Sequence, residues 1–134
     1  MAPCRRDAGT VSVEFAIAAN ALLLLLLGTL SVAVLIWAEA ALQSVAAQTA
    51  RCSALGSSLC SSATEYAVTL ADERLFSGVI DTSDVTVTTG TSCHNAAGEY
   101  SIVTITSSYW ATGLLASVFD GIVLKATACY PSHS

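Results

Sequence analysis

At 134 residues and a net charge of −5, the chain is about one domain long and carries no basic stripe. Lys125 is its single lysine, and nucleic-acid binding needs clustered cations that release counterions from phosphate. Apolar residues make up 54% of the chain, and their uneven placement sets its organisation.

Residues Met1 to Gly9 are short, polar and basic, with Pro3 near the start; this segment reads as a leader rather than part of a fold. From Thr10 to about Arg51 there is no proline and one glycine, Gly28, among many alanines and leucines. That composition predicts one helix of roughly 40 residues, about 60 Å long at about 1.5 Å per residue.

Within it, Phe15 to Ala38 contains 24 residues without a charge, including six leucines from Leu22 to Leu27. About 20 apolar residues cross a bilayer's hydrocarbon core, so the stretch is long enough to span it with some tilt. The rest of the chain, Glu39 to Ser134, is too small to cover such a helix on all sides. Arg5 and Arg6 precede the span, whereas Glu39 comes after it and the next cation is Arg51. The excess of basic residues before the span predicts a cytoplasmic N-terminus and an exported remainder.

Beyond Ala38 the helix becomes amphipathic, with Ala41, Leu42, Val45, Ala46 and Thr49 at helical spacing. Ser53 to Ser62, serine-rich and containing Gly56, reads as a loop. Ser62-Ala-Thr-Glu65 matches a capping box that opens a second helix. Ala63, Ala67, Leu70, Ala71 and Leu75 supply its apolar face, and Gly78 is a plausible stop.

Asp84 to Thr89, Tyr100 to Ser108 and Ile122 to Tyr130 are rich in Val, Ile and Thr and predict a small antiparallel sheet. In the third run Ile122, Leu124, Ala126, Ala128 and Tyr130 share one face, opposite Val123, Lys125, Thr127 and Cys129. The link from Tyr109 to Gly121 holds Trp110, Leu114, Leu115, Val118 and Phe119, which are expected to pack under the sheet or to contact a neighbouring subunit or the membrane surface.

The fold class is therefore α+β: a long N-terminal membrane helix running into a small disulfide-stapled domain with a second helix and a roughly three-stranded antiparallel sheet. Three segments result: leader 1–9, helix 10–51 with its span at about 15–38, and exported domain 52–134.

Cys52, Cys60, Cys93 and Cys129 all lie on the exported side, apart from Cys4. An even number in a small domain suits an oxidising compartment. The competing use is a zinc site, but the spacings include no C-x-x-C pair. Four cysteines allow three connectivities. The preferred one joins Cys52 to Cys60, closing a short loop at the helix end, and Cys93 to Cys129, tying strands together.

His94 and His133 stand in polar surroundings without ligand-spaced companions. No G-x-S-x-G nucleophile setting occurs, and Asp72-Glu73 and Asp81 to Asp84 read as a solvated helix end and turn. No catalysis, cofactor, metal or small-molecule substrate is expected.

The residues around the start of the span, Arg5-Arg6-Asp7-Ala8-Gly9 followed by Thr10-Val11-Ser12-Val13-Glu14-Phe15, resemble the leader and cleavage site of type IV pilin-like precursors. They resemble more closely the TadE-like proteins of the bacterial Tad (Flp) pilus system. The apolar span, Arg51-Cys52 after it, the cysteine-bearing β region and the Cys129-Tyr130-Pro131 ending are similar too.

The resemblance implies cleavage by a prepilin peptidase between Gly9 and Thr10, and an assembly role for Glu14, the fifth residue of the mature chain. It further implies a single-pass location in the bacterial inner membrane, with incorporation in a pilus as a further possibility. The implied partners are other pilin-like subunits and the Tad secretion platform. Major pilins of that system carry a Glu-Tyr pair and almost no exported domain. Here Phe15 follows Glu14 and a sizeable domain follows the helix, which points to a minor component.

Physical chemistry gives this spacing a reason. Cleavage after Gly9 leaves Thr10 with an amine that is largely protonated near neutral pH. Glycine before the cut lets an extended backbone approach the peptidase without a side chain in the way. Glu14 lies one helical turn beyond Thr10, so its carboxylate can meet that amine, the positive helix end, or the amine of an adjacent subunit. A charge inside a span costs about 2.5 to 3.5 kcal/mol at the centre and less at the edge, and usually has a partner. A glutamate in the first turn of any helix is also mildly favourable without a pilus. Asn20, the other polar group, can hydrogen-bond across packed helices for about 0.6 to 2 kcal/mol.

Two other organisations fit the same residues. Ala38-Glu39-Ala40 satisfies the A-x-A pattern of signal peptidase, which would release a soluble disulfide domain near Ala40, although the apolar stretch far exceeds the usual signal core of about 7 to 15 residues. The other is an uncleaved membrane-anchored enzyme or binding module.

Overall fold

The computed structural model describes residues 7–56, 58–75, 77–109 and 121–132. Its elements are α1 (Asp7–Leu55), a 3-10 turn (Ser58–Cys60), α2 (Ala63–Arg74), a second 3-10 turn (Thr82–Asp84), β1 (Val85–Cys93), β2 (Ala96–Tyr109) and β3 (Ile122–Pro131). The chain divides into two compact units, residues 1–35 and 36–134, and α1 passes from one to the other. The apolar link residues Trp110, Leu114, Leu115, Val118 and Phe119 lie outside the described residues, as do Cys4, Arg5, Arg6 and His133.

In the first unit, α1 presents apolar side chains all round. Val11, Phe15, Leu24, Leu25 and Leu30 are 62 to 74% exposed, and the most apolar window of the helix is only 6% buried. The core helix of a soluble protein would be covered, so that reading is set aside: a helix apolar on every side and uncovered is one suited to lipid. Its hydroxyls are compatible with that solvent. Thr29 Oγ1 donates to the carbonyl of Leu26 and Ser31 Oγ to that of Leu27, each at 2.9 Å, so these donors are satisfied within the helix.

In the second unit the same helix is amphipathic. Ala38, Leu42, Val45, Ala46, Thr49 and Ala50 are buried and recur at steps of three, four and one, a single stripe. Ala41, expected on that stripe, sits at its half-buried margin.

The helix also continues past Arg51 to Leu55, through the start of the expected serine-rich loop. Burial explains this: Cys52, Ser53 and Ala54 are half-buried, and Ser53 Oγ accepts from Ser101 Oγ at 3.1 Å. Tertiary contacts here outweigh the weak helix propensity of serine. The chain leaves the helix at Gly56, whose φ of +56° is a left-handed conformation that glycine adopts without strain.

α2 begins where the capping serine requires. Ser62 Oγ accepts from the Glu65 backbone N–H at 3.4 Å, and Ala67 and Ala71 face inward. The helix ends at Arg74, before Gly78. Gly78 lies instead in the following turn, where its N–H donates to Asp72 Oδ1 at 3.0 Å. Arg74 Nη1 donates to Ser44 Oγ, tying the end of α2 to α1.

The sheet is an antiparallel meander in the order β1-β2-β3. Its inner face carries Val85, Val103, Ile105, Leu124 and Ala126, all buried, together with Ser101 and Ser107. Ser107 Oγ is satisfied by the carbonyl of Val79 at 3.0 Å. The outer face is polar and threonine-rich. Thr86, Thr104 and Thr127 stand in one row across all three strands, and the latter two hydroxyls approach to 3.4 Å.

β1 and β2 are longer than expected and meet in a two-residue turn, His94-Asn95, with φ values of 45° and 71°. Two positive φ angles are what a tight hairpin of this kind demands, and asparagine tolerates them well.

Two disulfides complete the domain: Cys52–Cys60, with Cα atoms 5.9 Å apart, and Cys93–Cys129, with Cα atoms 6.4 Å apart. The second one reports a bend. Cys93 is paired with Ala96, and Cys129 with Ile102. In a flat ladder those rows would lie about 20 Å apart along the strand. Cys129 points to the outer face, so the hairpin tip must curl back over that face to bring Cys93 to it. A register shift between Gly90 and Ser92 allows the curl. Gly98, at φ +156°, serves the facing strand in the same way.

Candidate functional site

The first turns of α1 hold the residues expected to matter for processing and assembly. Backbone helix begins at Asp7, so the Gly9-Thr10 peptide lies inside the first turn instead of in an extended segment. The described helix thus extends three residues ahead of Thr10, where the composition had placed its start, and an acidic residue type such as Asp7 is favourable near a helix N-terminus. Within a helix glycine is about 1 kcal/mol less favourable than alanine.

Glu14 follows Thr10 by four residues in unbroken helix, on the same face one turn along. Its side chain is exposed, and so is that of Asn20. Around them Val11, Val13, Phe15 and Ile17 are all more than 60% exposed. A carboxylate and a carboxamide therefore stand on an otherwise apolar, uncovered surface. In lipid, such groups are stabilised by partners on a neighbouring helix.

In the second unit a cleft is lined by Gln48, Arg51, Cys52, Leu55 and Tyr66. It offers one guanidinium and one phenol without a convergent acid, base or nucleophile.

A different cluster was missed in the sequence. Cys93, His94 and Cys129 present their sulfur and imidazole atoms within 4.8 Å of one another, with His94 Nδ1 3.1 Å from Cys93 Sγ. Spacing along the chain hides it, because 36 residues separate the two cysteines and only the curled hairpin brings them together. The adjacent Cys-His pair at a polar turn was the available signal.

Residues 9–51 of the chain match the family model described as TadE-like protein. No curated protein and no solved structure matches the chain. The matched segment covers the Gly9-Thr10 pair, Glu14, the apolar stretch and the helix as far as Arg51, and stops short of the cysteine-bearing domain.

Proposed function

We propose, from a chain whose N-terminal third carries the TadE-like segment, that it is a minor pilin-like component of a Tad-type adhesion pilus. It is made as a precursor, cut by a prepilin peptidase after Gly9, and held in the bacterial inner membrane by α1 with the domain exported. Its role is structural, in assembly of the filament with other pilin-like subunits and the secretion platform, and not catalytic.

The observation that carries the reading is the run of α1 from residue 11 to residue 35, apolar and exposed on all sides, with Glu14 one turn from Thr10. A lipid-facing helix needs a neighbour for that carboxylate, and the new amine of an adjacent subunit's Thr10 is the cation that cleavage itself creates.

The test is the N-terminal sequence of protein recovered from membranes and from sheared filaments, in cells with and without the peptidase. A start at Thr10 only when the peptidase is present supports the proposal. A start near Ala41 would assign the chain to signal peptidase and a released domain, and an intact Met1 in peptidase-positive cells would leave an uncleaved membrane protein. Gly9→Ala should abolish processing, and Glu14→Ala should leave processing intact while reducing recovery in filaments by at least about tenfold, the effect of about 1.4 kcal/mol.

A further inference from the structure

We propose that, when the Cys93–Cys129 bond is reduced, its two sulfurs and His94 Nδ1 bind a divalent cation of the zinc class. This inference is independent of the pilus reading, since it concerns only the hairpin tip and β3.

The three ligand atoms already lie within 4.8 Å of one another. A tetrahedral zinc centre, with bonds of about 2.3 Å to sulfur and about 2.0 Å to nitrogen, sets its sulfurs about 3.8 Å apart and each sulfur about 3.5 Å from the nitrogen. The 3.1 Å between Cys93 Sγ and His94 Nδ1 needs only a small widening. The larger change is the parting of the two sulfurs by roughly 2 Å.

The tip can supply that movement. Cys129 is fixed in β3 by its pairing with Ile102. Cys93 and His94 ride on the curled hairpin, whose ladder is already interrupted between Gly90 and Ser92. His94 is exposed, which leaves the fourth position to water. Two thiolates and an imidazole are a donor set that selects zinc-like cations over magnesium or calcium.

The chemistry balances. A dithiol reductant transfers two electrons and two protons to the disulfide, becoming a disulfide itself and leaving two thiols. Cation binding then displaces both thiol protons, giving a bis-thiolate complex and two released protons. The cation would hold Cys93 against Cys129 as the covalent bond does, so the tip stays curled over the sheet in either redox state.

The experiment uses the full chain in detergent, with cobalt(II) as the probe. The reduced protein should take up one cobalt with thiolate-to-metal absorbance and release two protons, and the oxidised protein should show neither. Cys93→Ser with Cys129→Ser should remove the absorbance, whereas Cys52→Ser with Cys60→Ser should keep it. His94→Ala, at an exposed turn, should weaken binding by more than about tenfold. The proposal is overturned if reduced protein shows no thiolate-cobalt absorbance, if that absorbance survives loss of Cys93 and Cys129, or if His94→Ala leaves the affinity unchanged.

Discussion

Thr49 is fully buried in the stripe of α1 that faces the core, and its hydroxyl has no hydrogen-bond partner. An unsatisfied buried polar group costs about 1 to 3 kcal/mol, and valine has the same shape without it. Thr49→Val is therefore expected to stabilise the domain by about 1 kcal/mol, read as a higher denaturation midpoint of the detergent-solubilised chain. Gly90 has the opposite sensitivity. A Cβ there would lie 2.7 Å from Ile102 Cδ1, so Gly90→Val requires the Ile102 side chain to turn aside and should destabilise by about 0.5 to 1.5 kcal/mol. Adding Ile102→Ala should recover part of that loss, because the obstacle is the end of the Ile102 side chain. A double-mutant cycle measures the coupling.

Among the elements, the Cys52–Cys60 bridge joins the last turn of α1 to the 3-10 turn that precedes α2. Replacing both cysteines by serine should lower stability by about 2 to 4 kcal/mol, and denaturant unfolding with and without reductant checks this. The bridge also shows how far the residues alone could be read. The Ser62 cap, the stripe through Leu42, Val45 and Ala46, and the inward set Leu124 and Ala126 were legible, because each depends on local spacing. The extension of α1 to Leu55 was not, because it depends on Ser101 reaching Ser53 from a strand 48 residues away. Nor was the His94-Asn95 hairpin: asparagine before glycine is the usual signal, and here alanine comes after it. The curl that gathers Cys93, His94 and Cys129 requires knowledge of two strand registers at once. For the candidate processing site, the residue types and spacing were visible in the sequence, while the helical state of the Gly9-Thr10 peptide was not.

For the molecule as a unit in a cell, the proposed orientation has a direct readout. Arg51, Arg74 and Lys125 are exposed and all follow the span, on the side proposed to be exported. Trypsin added to intact spheroplasts should shorten the protein, leaving a membrane-embedded fragment that resists alkaline extraction. Protection of the full length until lysis would place the domain on the cytoplasmic side and contradict the charge asymmetry around the span.

The two disulfides are nested in neither direction: Cys52 and Cys60 are eight residues apart and both precede Cys93. A chain threading outward behind its anchor helix would therefore expose the first thiol pair together, with no third competitor yet across. An oxidase meeting the polypeptide as it emerges can close that bond before β1 arrives. On the proposed orientation the second pair is then left with only each other, so the order of translocation would favour this connectivity.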